Sequence, residues 1–266
     1  MTEIITSAQN RKIKTLLALQ EKSRTRRENG LFVVEGRREI GHCIRAGFRI
    51  RTLFVCMDIL GKRDLDCILG DMQPPVIEVP AALYDKIAYR GGTEGIIAEV
   101  EWKETGLDDI ILPDNPLVMV LESIEKPGNL GAVLRSADAA GADAVIICDP
   151  LTDIYNPNLI RASIGAVFTR QVVAASSEDA LRWLRKNNIR ILTAQLQDSE
   201  WYYDEDMWGG TAIVMGTEAT GLTDFWRDAA DSHIRIPMLG ELDSLNVSVS
   251  AAILLYEAVR QRHSGR

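Results

Sequence analysis

The chain has 266 residues, 46% of them apolar and 26% charged, which suits a globular protein large enough for two domains. No run of 18 apolar residues occurs, which excludes a spanning helix, and residues 1–6 lack the basic-then-apolar order of a secretion signal; a cytoplasmic protein is expected. The net charge of −8 argues at first against nucleic acid, yet residues 1–51 hold twelve Lys/Arg against five Glu, a net of about +7, and leave the remainder near −15. Arg11, Lys12, Lys14, Lys22, Arg24, Arg26, Arg27, Arg37 and Arg38 form this basic front end. It reads either as a solvated helix face or as a phosphate-binding surface that gains affinity by counterion release.

Residues 7–22 place Ile13, Leu16, Leu17 and Leu19 at helical spacing with Lys and Arg opposite. Residues 31–36 predict a strand ending at Gly36, residues 37–46 a helix stopped by Gly47, and residues 50–55, 76–79 and 96–100 three further strands. Residues 1–101 are therefore expected to form a basic α/β domain. Residues 102–116, with Gly106, several Asp, Pro113 and Pro116, read as a linker, and residues 117–266 as a second domain. There, residues 117–121, 144–148 and 212–215 are continuous apolar runs and residues 189–194 a mostly apolar one, the pattern of parallel strands covered on both faces. Helices are expected at 129–140, 177–186 and 247–262. Strands alternating with helices predict a mostly parallel sheet, with its ligand beyond the carboxyl ends of the strands.

Three glycine-bearing loops follow such strands. The first carries Gly128, Asn129, Gly131 and, further along the helix, Arg135; here Asn129 reads as a helix cap or a ligand-facing amide, and Arg135 as a surface residue or one reaching back toward the loop. The second carries Gly216, Glu218 and Gly221; it is either a plain strand-to-helix turn or a ligand loop. The third, residues 236–250, offers Gly240, Ser244, Asn246 and Ser248, small groups suited to a polar small molecule held largely through backbone. Several chemistries are missing. The dinucleotide G-x-G-x-x-G and the P-loop are absent, and nothing around His233 resembles a nucleophile elbow. No clustered metal ligands occur, so no metal is expected. Cys43, Cys56, Cys67 and Cys148 match no zinc spacing and are expected to be buried, reduced thiols. Any chemistry falls to Arg, Asn, Ser, Glu and backbone amides, with a cofactor bringing the reactive group.

In this order, Asn129, Gly131 and Arg135, then Gly216, Glu218 and Gly221, then Ile236-Pro237-Met238, Gly240 and residues 244–248, resemble the three motifs of the SpoU (TrmH) family of SPOUT RNA methyltransferases. Residues 156–168 resemble the family's middle segment, and residues 8–100 the ribosomal-protein-like substrate-binding domain often fused in front. The resemblance implies an α/β fold with a trefoil-knotted SPOUT methyltransferase domain behind an α/β RNA-binding domain. It implies S-adenosylmethionine as cofactor, held by Thr193, Ala194, Gly216, Gly221, Ile236, Met238 and Leu245. It assigns catalysis to Asn129, Arg135, Glu218, Ser244 and Asn246. The implied reaction is methylation of a ribose 2′-hydroxyl, of ribosomal RNA rather than transfer RNA. A transfer-RNA enzyme and a non-catalytic RNA-binding protein are the alternatives. A homodimer is implied too, with Val249, Ala252, Ile253, Tyr256 and Val259 as its candidate stripe, and no membrane partner.

Overall fold

The computed structural model describes residues 3–89, 94–151, 153–217, 220–241 and 243–263. Two compact units result, Met1–Glu104 with Asp153–Thr169, and Thr105–Thr152 with Arg170–Arg266. The segment Asp153–Thr169 thus packs in the first unit although its sequence position lies within the range expected for the second.

The elements of the first unit are β1 (Glu3–Ile4), α1 (Arg11–Glu21), α2 (Ser23–Asn29), β2 (Leu31–Glu35), α3 (Arg37–Arg45), β3 (Ile50–Val55), α4 (Met57–Leu60), α5 (Lys62–Leu69), β4 (Val76–Glu78), α6 (Ala81–Ile87) and β5 (Ile96–Glu101). Helix α1 starts four residues later than its apolar spacing suggests. The Asn10 side chain accepts the Lys12 N–H at 2.9 Å and fixes the start there. The five strands form one sheet in the order β1-β4-β3-β5-β2. Strand β5 runs antiparallel to both β2 and β3, whereas β3–β4 and β1–β4 are parallel. Ile13, Leu16 and Leu19 of α1 meet Val33, Phe54, Ile77 and Ile97 of the sheet in a buried core. Residues 153–169 complete this unit. Tyr155 stacks on Phe32 with ring centroids 4.2 Å apart, and Asp153 forms a buried ion pair with Arg26 at 2.6 Å.

The second unit begins with β6 (Leu117–Glu122), α7 (Pro127–Ala139) and β7 (Ala144–Cys148). After the first-unit helix α8 (Pro157–Ala162) it continues with β8 (Gln171–Ala175), α9 (Ser177–Lys186), β9 (Arg190–Ala194), β10 (Glu200–Trp201), β11 (Thr211–Met215), α10 (Asp224–Ala229), β12 (Ser232–Arg235) and α11 (Val247–His263). Its seven strands form one wholly parallel sheet, ordered β10-β12-β9-β11-β6-β7-β8. Every residue of β7 and β11 is buried, as continuous apolar runs require of strands covered on both sides. Residues 105–116, part of the stretch 102–116 read from sequence as a linker, pack against this core through Leu107, Ile110 and Leu112. The Gln171 side chain holds the Ile111 backbone there, accepting its N–H and donating to its carbonyl, each at 2.8 Å.

Helix α7 begins at Pro127, not at Asn129 as expected. Proline's fixed φ and missing N–H suit a first helical turn, so Asn129 lies inside that turn and is not its cap. Of the four cysteines, Cys43, Cys56 and Cys148 are buried, but Cys67 on α5 is exposed, which corrects the expectation for that residue. Burial pushes the Cys43 and Cys148 thiols up to about 12, leaving them inert. Among the described residues no helix is long and apolar enough to cross a membrane, and no group of three His, Cys, Asp or Glu stands together as metal ligands would.

Candidate active site

Strand order creates the site. Successive strands β6, β7 and β8 step outward on one side; the chain then returns to the other side of β6, where β11 inserts between β6 and β9, and β12 adds beyond β9. The carboxyl ends of β11, β9 and β12 therefore lie side by side next to the point where the order reverses, the usual ligand position on a parallel sheet. The loops leaving these three ends, with the start of α11, enclose a cavity of about 560 Å³, within the range of small-molecule sites.

Eight of the twelve residues singled out from sequence line it: Ala194 after β9, Gly216 and Gly221 after β11, Ile236 and Met238 after β12, and Ser244, Leu245 and Asn246 before α11. Asn129 joins them through a side-chain bond, Asn246 Nδ2 donating to Asn129 Oδ1 at 3.2 Å. The same Asn246 offers its Oδ1 to the Ser248 N–H at 3.0 Å and the Ser248 hydroxyl at 2.6 Å. It thereby caps α11 while its amide reaches the first turn of α7, against which α11 packs. The Ser244 hydroxyl donates to the Asp243 carboxylate at 3.0 Å.

Two residues stand apart. Thr193 is fully buried behind the wall, its hydroxyl 2.7 Å from His233 Nδ1. Arg135 is exposed on α7 and does not line the cavity. Six helical residues separate it from Asn129, about 9 Å of rise. Glu218 lies outside the described residues.

The second loop is built for tightness. Thr217 and Gly221 exchange backbone hydrogen bonds, N–H to carbonyl, at 3.1 and 3.0 Å. Gly221 sits at φ +68, and a Cβ on Gly216 would stand 2.2 Å from the Gly221 carbonyl oxygen. Only glycine fits at position 216. The far end of the loop is fixed by buried Glu122 at the end of β6, which accepts the Thr223 N–H at 2.9 Å and its hydroxyl at 2.6 Å.

Sequence reasoning missed Gln195, Leu196, Gln197, Thr217, Thr220, Leu222, Arg227 and Asp243, which also line the cavity. Their position just past strand ends was the available signal for 195–197. Arg227 gave none, since it lies on a short helix.

The lining suits a mixed ligand. Leu196, Met215, Ile236, Met238 and Leu245 supply apolar surface. Among the described residues, two buried polar atoms on the walls lack a protein partner, the Gln195 Oε1 acceptor and the Arg227 Nε donor. S-adenosylmethionine fits this set: a flat purine for the apolar walls, amino hydrogens for an acceptor and an anionic tail for a donor.

Comparison with known proteins agrees. Residues 116–256 match the family model described as the SpoU rRNA Methylase family, and residues 10–98 that of the MRM3-like substrate binding domain. The chain is 35% identical over 226 residues to the 23S rRNA (guanosine-2′-O-)-methyltransferase RlmB of Escherichia coli K12, covering 82% of this chain and 93% of that protein. The crystal structure of an RNA 2′-O ribose methyltransferase superposes with a TM-score of 0.84 at 38% identity, over 97% of this chain and 99% of that one. The SpoU methyltransferase AviRb from Streptomyces viridochromogenes, in complex with AdoMet, superposes with a TM-score of 0.89 at 29% identity, over 97% and 100% of the two chains. Fold, cavity and relatives define a class, the RNA methyltransferases that use S-adenosylmethionine. Within that class the chain belongs to the SpoU rRNA methylase family.

Proposed function

We propose that this protein transfers a methyl group from S-adenosylmethionine to a ribose 2′-hydroxyl of 23S ribosomal RNA. The carrying observation is that the second and third family motifs meet at one cavity, to which the first is joined by a hydrogen bond. Gly216, Ile236, Met238 and residues 244–246 form its walls, and the Asn246–Asn129 bond ties them to the helix that bears Arg135. The 23S assignment follows relatives such as the Escherichia coli enzyme.

In this reading Ala194, Gly216, Gly221, Ile236, Met238 and Leu245 hold the cofactor, largely through backbone groups, and Thr193 supports that wall through His233. When bound, the cofactor supplies an electrophilic methyl group on a sulfonium. The residues then have to hold the ribose so that oxygen, methyl carbon and sulfur are collinear. Such positioning supplies roughly 7 kcal/mol or more of the barrier. Asn129 and Asn246 orient the ribose, and Ser244 shapes the loop. Arg135 clamps an RNA phosphate and stabilises charge developing on the 2′-oxygen, whose proton passes to a phosphate oxygen or to solvent.

Residues 1–101 act as the RNA-holding domain and residues 117–266 as the methyltransferase domain, whose chain threads the trefoil knot of the family. The protein works in the cytoplasm as a homodimer. Support for the dimer comes from α11, where Val249 and Tyr256 are 46% and 49% exposed on the stripe read from sequence. A monomer in sedimentation equilibrium at micromolar concentration would contradict it.

The assigned chemistry is tested by Arg135→Ala. The variant is expected to lose about 100-fold or more in turnover, the size seen when a transition-state charge loses its donor, with cofactor affinity within about twofold of wild type. Equal losses of turnover and cofactor affinity would remove Arg135 from the chemical step.

A further inference from the structure

Among the described residues the cavity wall carries two cations, Arg227 and Arg235. Arg235 is committed within the protein. Its guanidinium lies 4.4 Å from the Trp201 ring centroid, and its Nη1 donates to the Ser199 carbonyl. Arg227 is not committed in this way. Its Nε is buried without an acceptor. Among the described residues its one ion pair is a 3.6 Å contact with Asp224 three residues earlier, a carboxylate left 90% exposed; surface pairs of this kind hold a side chain weakly. The guanidinium stands beside the second loop, with Nη2 3.8 Å from where a Cβ on Gly221 would lie. A guanidinium in a cavity wall without a fixed internal partner is a ready site for a planar anion, because its forked N–H groups match a carboxylate. S-adenosylmethionine carries a single anionic group, the carboxylate of its methionine tail.

We propose that Arg227 binds the cofactor's methionine carboxylate and so distinguishes S-adenosylmethionine and S-adenosylhomocysteine from nucleosides that lack the amino-acid tail. The proposal rests on the reading of this cavity as the cofactor site. It extends that site to α10, outside the three motif loops.

The test is isothermal titration calorimetry with two probes. S-adenosylhomocysteine keeps the carboxylate, and 5′-methylthioadenosine lacks the tail. Arg227→Ala is expected to weaken S-adenosylhomocysteine binding about tenfold or more, as the loss of a charge-assisted hydrogen-bonded pair does, and to leave 5′-methylthioadenosine within about twofold; Arg227→Lys should fall between. Equal weakening of both probes would make Arg227 a structural residue and overturn the proposal. Unchanged binding of both, with weaker RNA affinity, would assign the guanidinium to an RNA phosphate and overturn it as well. Leu245→Trp, at a half-exposed wall position, checks the underlying reading separately. It should weaken both probes, and unchanged affinity for both would show that the cofactor binds elsewhere.

Discussion

Arg26 illustrates what a charge count cannot tell. It belongs by sequence to the basic front end, yet it is 2% exposed. Its Nε donates to Asp153, and its Nη1 to the Leu19 carbonyl at 2.7 Å. Arg27, next in the chain, is exposed. The two have different jobs, and a pair of substitutions separates them. Arg26→Ala leaves Asp153 buried and unpaired, so urea unfolding should show a loss on the order of 3–5 kcal/mol. Arg27→Glu should leave stability within about 0.5 kcal/mol, while RNA affinity falls and its salt dependence flattens, because one phosphate contact is lost. A stable Arg26→Ala protein, or an Arg27→Glu protein with unaltered RNA affinity, would contradict this division. Nothing in the sequence marked Arg26, because its partner lies 127 positions away and pairing over that span leaves no local pattern. At the cavity the glycines and small polar residues were legible, since a backbone-lined site needs them. Arg227 was not, because it lies on the short helix α10, where no local pattern marks a ligand-facing cation.

At the scale of elements, hydrophobic pattern did most of the work. Strands β6, β7, β9 and β11 stand within a residue of their expected limits, because burial on both faces demands a largely apolar run. Helix α2 was invisible for the opposite reason. Ser23–Asn29 is polar throughout, and the side chain it buries is Arg26. The cavity was beyond any pattern, because it depends on β11 inserting between β6 and β9, a pairing fixed by tertiary packing. Strand β5 carries a polar residue into its sheet with a measurable consequence. Glu99, 8% exposed between β2 and β3, has its carboxyl pushed up from 4.5 to about 7 by burial, against the opposing hydrogen bond from Thr52. A raised folded-state value means that the folded protein holds this proton more tightly than the unfolded chain. The contribution to stability is fully present below about 4.5 and is lost as pH rises through about 7. Glu99→Gln stays neutral throughout, so its unfolding free energy relative to wild type should increase between pH 5 and pH 8. A difference that does not change with pH would show that Glu99 titrates normally.

For the molecule as a whole, each unit has its own sheet and core, and each matches a separate family description. The sequence contained both domains and the order of the three motifs. It read residues 102–116 as the linker between them and did not show that Asp153–Thr169, inside the second domain's sequence, belongs with the first sheet. Aromatic stacking and the buried ion pair fix that segment. The charge asymmetry takes its meaning at this scale. The basic first 51 residues lie in the unit matched by a substrate-binding family, while the cavity is built entirely within the other unit.

The central claim is a reaction, and one measurement bears on it most directly. The purified full-length protein is incubated with methyl-labelled S-adenosylmethionine and, separately, with 23S ribosomal RNA, 16S ribosomal RNA and transfer RNA from cells lacking the gene. The labelled RNA is digested and its nucleosides are separated. The account predicts label in 23S RNA alone, in one nucleoside methylated at the 2′-oxygen, whose linkage resists alkaline cleavage. Label on a base, label in transfer RNA alone, or a protein that binds the cofactor and 23S RNA without transferring the methyl group would contradict it.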